Sequence, residues 1–180
     1  MDAPEICSWG MQRHALKKVT HGFTLIELMV AISIIAILAA VAVPSFNDVI
    51  LGSRLTGVAN SFVASAQLAR SEAIKRNATV ALCMAATASS TSCTTTGNWE
   101  QGWIVLSGTT VLHRQQALPS GYQLTSGTKR IDFQTIGAGA TPATLTLCRA
   151  TPSPGGQERN IRVIATGRTS ISTTRVGTCS

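Results

Sequence analysis

A single carboxylate interrupts a long apolar stretch near the start of the chain, and its spacing suggests chemistry with an amine. Residues 23–43 carry one ionisable side chain, Glu27. A carboxylate near the middle of a bilayer costs about 2.5–3.5 kcal/mol, so a positive partner would stabilise it. If the chain is cut after Gly22, the new amine of Phe23 lies four residues before Glu27, or on a neighbouring copy. The spacing therefore favours an ion pair between Glu27 and a free N-terminal amine.

Cysteines offer a second kind of chemistry. Cys7 precedes the apolar stretch, whereas Cys83, Cys93, Cys148 and Cys179 follow it. An even number of cysteines on the far side of a membrane predicts disulfides. Proximity favours Cys83–Cys93 and Cys148–Cys179, although four cysteines allow three pairings. Metal binding is the competing interpretation, but the chain has no C-x-x-C spacing and its histidines are far away in sequence. We therefore expect two disulfides and no metal site.

Positive charge accumulates towards the end of the chain. The formal net charge is +7, and after Cys148 the basic residues are accompanied by one acid, Glu158. The planar arginine side chain makes two hydrogen bonds to a phosphate, whereas the aromatic rings that would stack on single-stranded bases are missing from this region. The pattern favours a solvated or subunit-facing surface, with contact to double-stranded DNA as the alternative. The candidate DNA-contacting residues are Arg149, Arg159, Arg162, Arg168 and Arg175.

Catalytic groups form no recognisable motif. After residue 22 the single histidine is His113, which follows a β-branched run and has no acid or nucleophile beside it. The chain contains no G-x-S-x-G, no P-loop and no paired-carboxylate spacing. We therefore expect no enzymatic activity and no cofactor.

One long helix is predicted to position these groups. At 1.5 Å per residue, residues 23–43 make a helix of roughly 30 Å, which is long enough to cross a bilayer. From residue 44 onward, apolar residues recur at steps of three and four, which predicts an amphipathic helix up to Arg76 that ends at Asn77. Its predicted apolar positions are Val49, Leu55, Val58, Ala59, Phe62, Ala66, Ala69 and Ala73.

Short β-branched runs separated by Gly, Pro and Ser follow the helix and predict strands. Ser107-Gly108 is predicted to join two of them as a tight hairpin, and the polar loop 85–98 would be pinned by a Cys83–Cys93 bond. The expected fold is α+β: a helical spine, transmembrane in its first half and amphipathic in its second, packed against antiparallel sheets. The predicted strands are 79–84, 102–106, 109–113, 121–124, 130–134, 143–148, 160–165 and 169–173.

The start of the apolar stretch carries a family resemblance. Residues 22–30 read Gly-Phe-Thr-Leu-Ile-Glu-Leu-Met-Val and resemble the type IV prepilin signature of pilins and pseudopilins. In that class a prepilin peptidase cuts after the glycine and methylates the new phenylalanine. The glutamate then pairs with the N-terminal amine of an adjacent subunit. The resemblance implies cleavage between Gly22 and Phe23, methylation of Phe23, and a registering role for Glu27.

A narrower resemblance lies in the second half of the chain. Residues 98–105, Asn-Trp-Glu-Gln-Gly-Trp-Ile-Val, are similar to the W-x-x-G-W-I-V strand of the GspH/FimT group of minor pilins and pseudopilins. Leu147-Cys148, residues 159–163 and Gly167-Arg168 are similar to the closing strands of that group. Members that serve DNA uptake carry a Gly-Arg-x-Arg element, whereas here Gly167-Arg168 is followed by Thr169-Ser170.

Together the resemblances imply a pilin-like fold and a minor type IV pilin. It would insert in the inner membrane with one pass and a periplasmic globular domain, then enter an extracellular filament near its tip to initiate or support assembly. The implied partners are prepilin peptidase and other minor and major pilins. The alternatives are a minor pseudopilin of a type II secretion system and a pilus-displayed, DNA-binding minor pilin for natural transformation. The expected segments are a leader (1–22), a transmembrane and filament-core helix (23–43), an amphipathic helix (44–77) and a β-rich globular domain (78–180).

Overall fold

The computed structural model describes residues 22–137, 139–151, 157–174 and 179. Within the long helix, the side chains of residues 41, 43–45 and 48 are also outside the described set. The predicted leader before Gly22 and the candidate Arg175 therefore lie outside the described residues. The chain divides into two compact units, Met1–Ala42 and Val43–Ser180.

Helix α1 spans Leu25–Arg76 and ends where the sequence predicts. Asn77 adopts a left-handed conformation with φ of 48°. Its N–H donates to the Ile74 carbonyl (3.3 Å), and the N–H of Ala78 donates to the Ala73 carbonyl (3.2 Å). These two bonds form the Schellman motif, which satisfies carbonyls that a helix end otherwise leaves without donors. Asparagine tolerates the left-handed region better than most residues, so Asn77 terminates the helix at little cost.

The rest of the described chain forms two antiparallel, four-stranded sheets. Sheet 1 has the strand order β3-β2-β1-β5, and sheet 2 has the order β4-β6-β7-β8. Every predicted strand is present within about two residues of its expected bounds, and the predicted α+β fold is confirmed. The strands are β1 (Val80–Met84), β2 (Trp103–Ser107), β3 (Thr110–Gln115), β4 (Tyr122–Thr125), β5 (Arg130–Phe133), β6 (Ala143–Arg149), β7 (Glu158–Val163) and β8 (Thr169–Thr174).

The β2–β3 hairpin turns one residue later than predicted. Ser107 pairs with Thr110, so the two-residue loop is Gly108-Thr109 rather than Ser107-Gly108. Gly108 has φ of 60°, a left-handed value that two-residue hairpin loops require and that glycine adopts without strain. A register shift between Val105 and Leu106 accompanies this turn.

The main core lies between the second half of α1 and both sheets. Small residues on the helix let the sheets approach closely, and Phe62 fills the centre between two tryptophans, with both ring centroids 5.3 Å away in edge-to-face geometry. The prediction for Val49 was wrong, because Val49 is 65% exposed, whereas Leu51, four residues before Leu55 and therefore on the same helix face, is buried. The buried apolar helix positions are Leu51, Leu55, Ala59, Phe62, Ala66, Ala69 and Ala73.

A second, smaller core covers the opposite face of sheet 1. Cys83 on β1 packs there with Ile104 and Leu106 of β2, and Cys93 from the polar loop packs against them. All five residues of β1 are consequently buried, although alternation would place half of them on an outer face. The loop 85–98 therefore acts as a cover over sheet 1.

Candidate functional site

The start of α1 is held by a side-chain cap. The Thr24 hydroxyl accepts a hydrogen bond from the Glu27 N–H at 3.2 Å, and the Thr24 carbonyl accepts one from Leu28 at 3.2 Å. Thr24 is therefore the N-cap, a position where threonine satisfies an otherwise orphaned donor. Gly22 and Phe23 lie outside the helix and are exposed. The Gly22–Phe23 bond thus sits in non-helical, accessible backbone directly before a fixed helix start.

Sequence reasoning did not single out Thr24, although a signal was present. Thr24-x-x-Glu27 before an apolar run has the spacing of a capping box. In the structure one of its two bonds is formed, from the Glu27 N–H to the Thr24 hydroxyl. The same residues thus define both the helix start and the position of the acid.

The Glu27 carboxylate has no hydrogen bond or ion pair with any residue that the structure describes. It borders a shallow groove of about 360 Å³ on α1, which is otherwise lined by Ile26, Val30, Ala31 and Ile34. An acid on an apolar helix face with no partner in the described part of the chain is available to a cation from another molecule.

The apolar side chains of the first helical turns are uncovered. Every described side chain from Phe23 to Ala40 is exposed. The residues that the structure describes contain no helix that meets the length and hydropathy of a membrane span. The large exposed side chains between residues 23 and 50 are Phe23, Leu25, Ile26, Leu28, Met29, Val30, Ile32, Ile34, Ile35, Ile37, Leu38, Phe46, Val49 and Ile50.

Both predicted disulfides are formed. Cys83 on β1 is bonded to Cys93 in the polar loop, with the two Cα atoms 5.5 Å apart. Cys148 on β6 is bonded to Cys179, with a Cα separation of 5.6 Å. Both separations lie in the ordinary range for disulfides. The first bond holds the loop 85–98 on sheet 1, and the second holds residue 179 on sheet 2.

One of the candidate DNA-contacting arginines belongs to the protein interior. Arg159 is 8% exposed. Its Nε donates to the Thr56 hydroxyl at 3.2 Å, and its Nη2 donates to the Gly52 carbonyl at 3.2 Å. Its Nη1 donates to the carbonyl of Glu158 at 3.1 Å. Arg159 therefore does not fit the DNA-contact alternative, because the alternation of β7 turns its side chain towards α1, where it joins helix and sheet.

The remaining candidate arginines do not share one face. Arg149 is half-buried and follows Leu147 by two residues, which places it on the core-facing side of β6. Arg162 is exposed on the opposite face, between the core residues Ile161 and Val163. Arg168 is exposed one residue before β8, and its register places it diagonally across from Arg162 on that outer face. The structure thus brings Arg162 and Arg168 together and separates Arg149 and Arg159 from them.

The two tryptophans and the histidine have structural positions. Trp99 and Trp103 are fully buried; their indole N–H groups donate to the Thr128 carbonyl (2.8 Å) and to the Ser65 hydroxyl (2.9 Å). His113 is exposed on β3. Among the described residues no three acids, histidines or cysteines come together as metal ligands would. Sequence reasoning had no access to Ser65, because its partner is 38 residues away along the chain.

Comparisons with known proteins agree with this architecture. A family model described as type II transport protein GspH matches residues 58–167, and one described as the prokaryotic N-terminal methylation motif matches residues 17–43. The fimbrial protein EcpC of Eikenella corrodens is 51% identical over 45 residues, which are 25% of this chain and 29% of EcpC. The chain thus spans under a third of the length of that relative.

Solved structures share the fold at low sequence identity. The crystal structure of the type IV minor pilin FimU of Pseudomonas aeruginosa superposes with a TM-score of 0.52 and 17% identity, over 70% of this chain and 98% of FimU. The minor pseudopilin EpsH of the Vibrio cholerae type 2 secretion system gives a TM-score of 0.49 and 15% identity, over 66% and 96%. The likeness to FimU shows the pilin-like α+β fold. Because the GspH model matches more than half of its residues, the chain belongs to the GspH family of minor pilin- and pseudopilin-type proteins.

Proposed function

We propose that the protein is a minor type IV pilin that is cleaved after Gly22, inserts in the inner membrane, and then enters a filament near its tip to initiate or support assembly. The observation that carries the proposal is the exposed apolar first half of α1 together with Glu27, an acid that has no partner among the described residues. Such a surface is unfavourable in water and needs lipid or other helices.

Access to the cleavage site supports processing. Gly22 and Phe23 are exposed and lie outside α1, and the Thr24 cap fixes the first helical residue as Leu25. The bond between Gly22 and Phe23 can therefore be reached without unwinding the helix. Prepilin peptidase would release the leader and methylate the new amine of Phe23.

The chemistry of Glu27 supports a role in assembly. In an apolar surrounding, an unpaired carboxylate is costly, whereas a carboxylate paired with an ammonium recovers much of that cost. The methylated amine of an adjacent subunit is a cation, and it would pair with Glu27 at the edge of the apolar groove. Subunits in register would form this pair, and subunits out of register would leave both charges unpaired in an apolar core.

The apolar side chains of α1 supply the association energy. Full burial of a leucine, isoleucine or phenylalanine contributes about 1.5–3 kcal/mol, so the exposed residues between 23 and 50 contribute strongly when helices pack. Before assembly the same surface would reside in the inner membrane, with the sheets on the periplasmic side. After assembly it would form the filament core.

A minor pseudopilin of a type II secretion system is the second candidate. The description of the matching family model, type II transport protein GspH, favours it. Both candidates use the same helix and acid, so Phe23 and Glu27 cannot separate them. The separation has to come from where the processed protein is found.

The test is to shear surface filaments from native cells and to record the intact mass of the protein in that fraction. A form that starts at methylated Phe23 in sheared filaments is expected for a pilus subunit. The processed form in the envelope alone would reject the pilus and support the pseudopilus. A protein that keeps residues 1–22 in both fractions would contradict both candidates.

Replacement of Glu27 tests the assembly mechanism separately. In Glu27→Val, cleavage and membrane insertion should remain, but the amount recovered in filaments should fall. Glu72→Gln, which removes the carboxylate near the other end of α1, is the matched control and should assemble normally. Equal recovery of Glu27→Val and the control would refute the registering role.

DNA capture is a further candidate, supported by the two exposed arginines on the outer face of sheet 2. Arg162 and Arg168 would each contact a phosphate, so Arg162→Ala/Arg168→Ala should weaken duplex binding and lower the slope of log K against log salt by about two. Arg54→Ala, an exposed arginine on α1, is the control. Failure of the unaltered protein to bind duplex DNA at low salt would reject this candidate.

A further inference from the structure

Among the described strands, β8 is the sheet edge with the least protection. The two sheets have four edge strands, β3, β5, β4 and β8. Proteins usually protect such edges with charges, bulges or very short strands. In the described chain β4 and β5 have four residues each, β5 carries the Arg130–Asp132 ion pair, and β3 carries His113 and Arg114 beside a register shift. In contrast, β8 has six residues, Thr-Ser-Ile-Ser-Thr-Thr, with no charge, proline or glycine.

The hydrogen-bond phase of β8 shows which backbone groups face outward. The Ile164 N–H donates to the Arg168 carbonyl at 3.1 Å, which makes residues 164 and 168 a hydrogen-bonded pair. Such pairs alternate along an antiparallel ladder, so Ser170, Ser172 and Thr174 also bond to β7. Thr169, Ile171 and Thr173 therefore direct their N–H and C=O groups away from β7, towards the free edge.

The described residues leave this edge uncovered. The Cys148–Cys179 bond holds residue 179 on β6, which lies on the far side of β7 from the free edge. A side-chain hydrogen bond also joins β8 to its neighbour β7, because the Asn160 amide donates to the Thr174 hydroxyl at 3.0 Å. Strand β8 is thus held on β7, and its outward N–H and C=O groups can pair with a strand of another molecule.

We propose that β8 accepts an extended, acidic segment of a different filament subunit as an additional strand of sheet 2. This inference rests on the proposed role in a filament. Backbone pairing would supply affinity. The outer face would supply specificity, because Arg168 stands one residue before β8 and Arg162, on β7, lies directly opposite the small side chain of Ser170. A carboxylate on the outer face of an added strand would lie directly or diagonally opposite Arg168. Arg162, one strand further back on β7, would approach the same carboxylate across Ser170.

A second copy of this chain fits the edge poorly. The formal net charge is +7, so two copies repel each other. Antiparallel pairing of two β8 strands would also place the Arg168 side chains on one face with no acid between them. The described carboxylates beyond the first turn of α1 are engaged elsewhere: Glu72 and Asp132 in ion pairs, Glu100 with the Leu124 N–H, and Glu158 in a buried position.

The experiment compares Thr173→Pro with Thr173→Val in the full chain, expressed in native cells. Proline removes an outward N–H and is tolerated on edge strands, whereas valine keeps the N–H and the β-branched shape. Recovery of Thr173→Pro in sheared filaments should fall about tenfold relative to Thr173→Val, the effect of losing one or two hydrogen bonds. Intact, unreduced masses with both disulfides verify that each variant folds. Equal recovery of the two variants would overturn the proposal.

A photo-crosslinking side chain at Ser172 identifies the occupant directly and does not depend on the proline variant. An adduct with another filament subunit is expected. An adduct with a second copy, an adduct with DNA, or no adduct in filaments would each overturn it. Absence of the unaltered protein from filaments would instead reject the proposed pilus function, and the inference would fall with it.

Discussion

Replacing Arg159 by methionine should destabilise the globular unit while leaving its surface charge pattern almost unchanged. Methionine keeps much of the apolar stem and its packing but removes the guanidinium donors. The bonds that join sheet 2 to α1 are then lost, namely those to the Thr56 hydroxyl and the Gly52 carbonyl.

The magnitude follows from these two bonds. A hydrogen bond to a charged group contributes about 1.5–3 kcal/mol, and the low end applies because the Gly52 carbonyl keeps a second donor, the Thr56 hydroxyl at 2.8 Å. Two such bonds give about 3 kcal/mol. Relief of the desolvation of a buried cation offsets about 1 kcal/mol of this. The expected loss is about 2 kcal/mol, or about 4–8 °C in Tm for a unit of this size.

The assay is denaturant or thermal unfolding of the full chain in detergent, followed by circular dichroism. Arg162→Met is the matched control, because it removes an arginine from the same strand on the exposed face and should change the free energy of unfolding by less than about 0.5 kcal/mol. If the two variants unfold alike, Arg159 does not anchor the helix, and its assignment to the interior has no energetic consequence.

Further perturbations have equally direct readouts. Ser65→Ala should lower the free energy of unfolding by about 1–3 kcal/mol, because the buried Trp103 N–H loses its acceptor. The control Ser61→Ala, at a half-buried position one helical turn away, should lower it by less than about 0.5 kcal/mol. Reduction of the disulfides should cost about 2–4 kcal/mol each and make loop 85–98 sensitive to protease, and an unreduced mass with four free thiols would contradict this. Hydrogen bonds from Arg76 and then Lys75 lower the pKa of Glu72, so its contribution to the last helical turn is present at neutral pH and is lost as the pH falls into the acid range. In Glu72→Gln, the protection factors of the amides in that turn should no longer fall as the pH is lowered. Protection factors that fall as in the unaltered protein would refute the pairing.

Local signals accounted for most of the fold. Periodicity placed the helix end at Arg76 because Asn77 is a residue that readily adopts the left-handed conformation of a helix end. The strands were recognisable because β-branched runs alternate with glycine, proline and serine. The disulfide pairing followed from proximity along the chain, since ten residues separate Cys83 from Cys93.

The sequence did not predict the contacts between residues that are far apart along the chain. Arg159 lies two residues before Ile161 and so shares its inward face, but only the fold reveals that this face meets the helix at Gly52. The burial of all of β1 was hidden for a similar reason, because it depends on where the polar loop with Cys93 folds back. In the candidate site, Glu27 was evident from its charge, whereas only the structure shows that no described residue pairs with its carboxylate.

The packing of Phe62 between two indole rings places two of the three tryptophans in the core, so cleavage after Gly22 would change the tryptophan fluorescence of the protein. Of the three tryptophans, Trp99 and Trp103 are fully buried against α1, and the third, Trp9, lies in the segment that cleavage after Gly22 would release. Emission from the uncut chain would therefore combine a leader fluorophore with two core fluorophores. Emission from the processed subunit would come from Trp99 and Trp103 alone. Its wavelength would depend on whether these two side chains stay buried between helix and sheet.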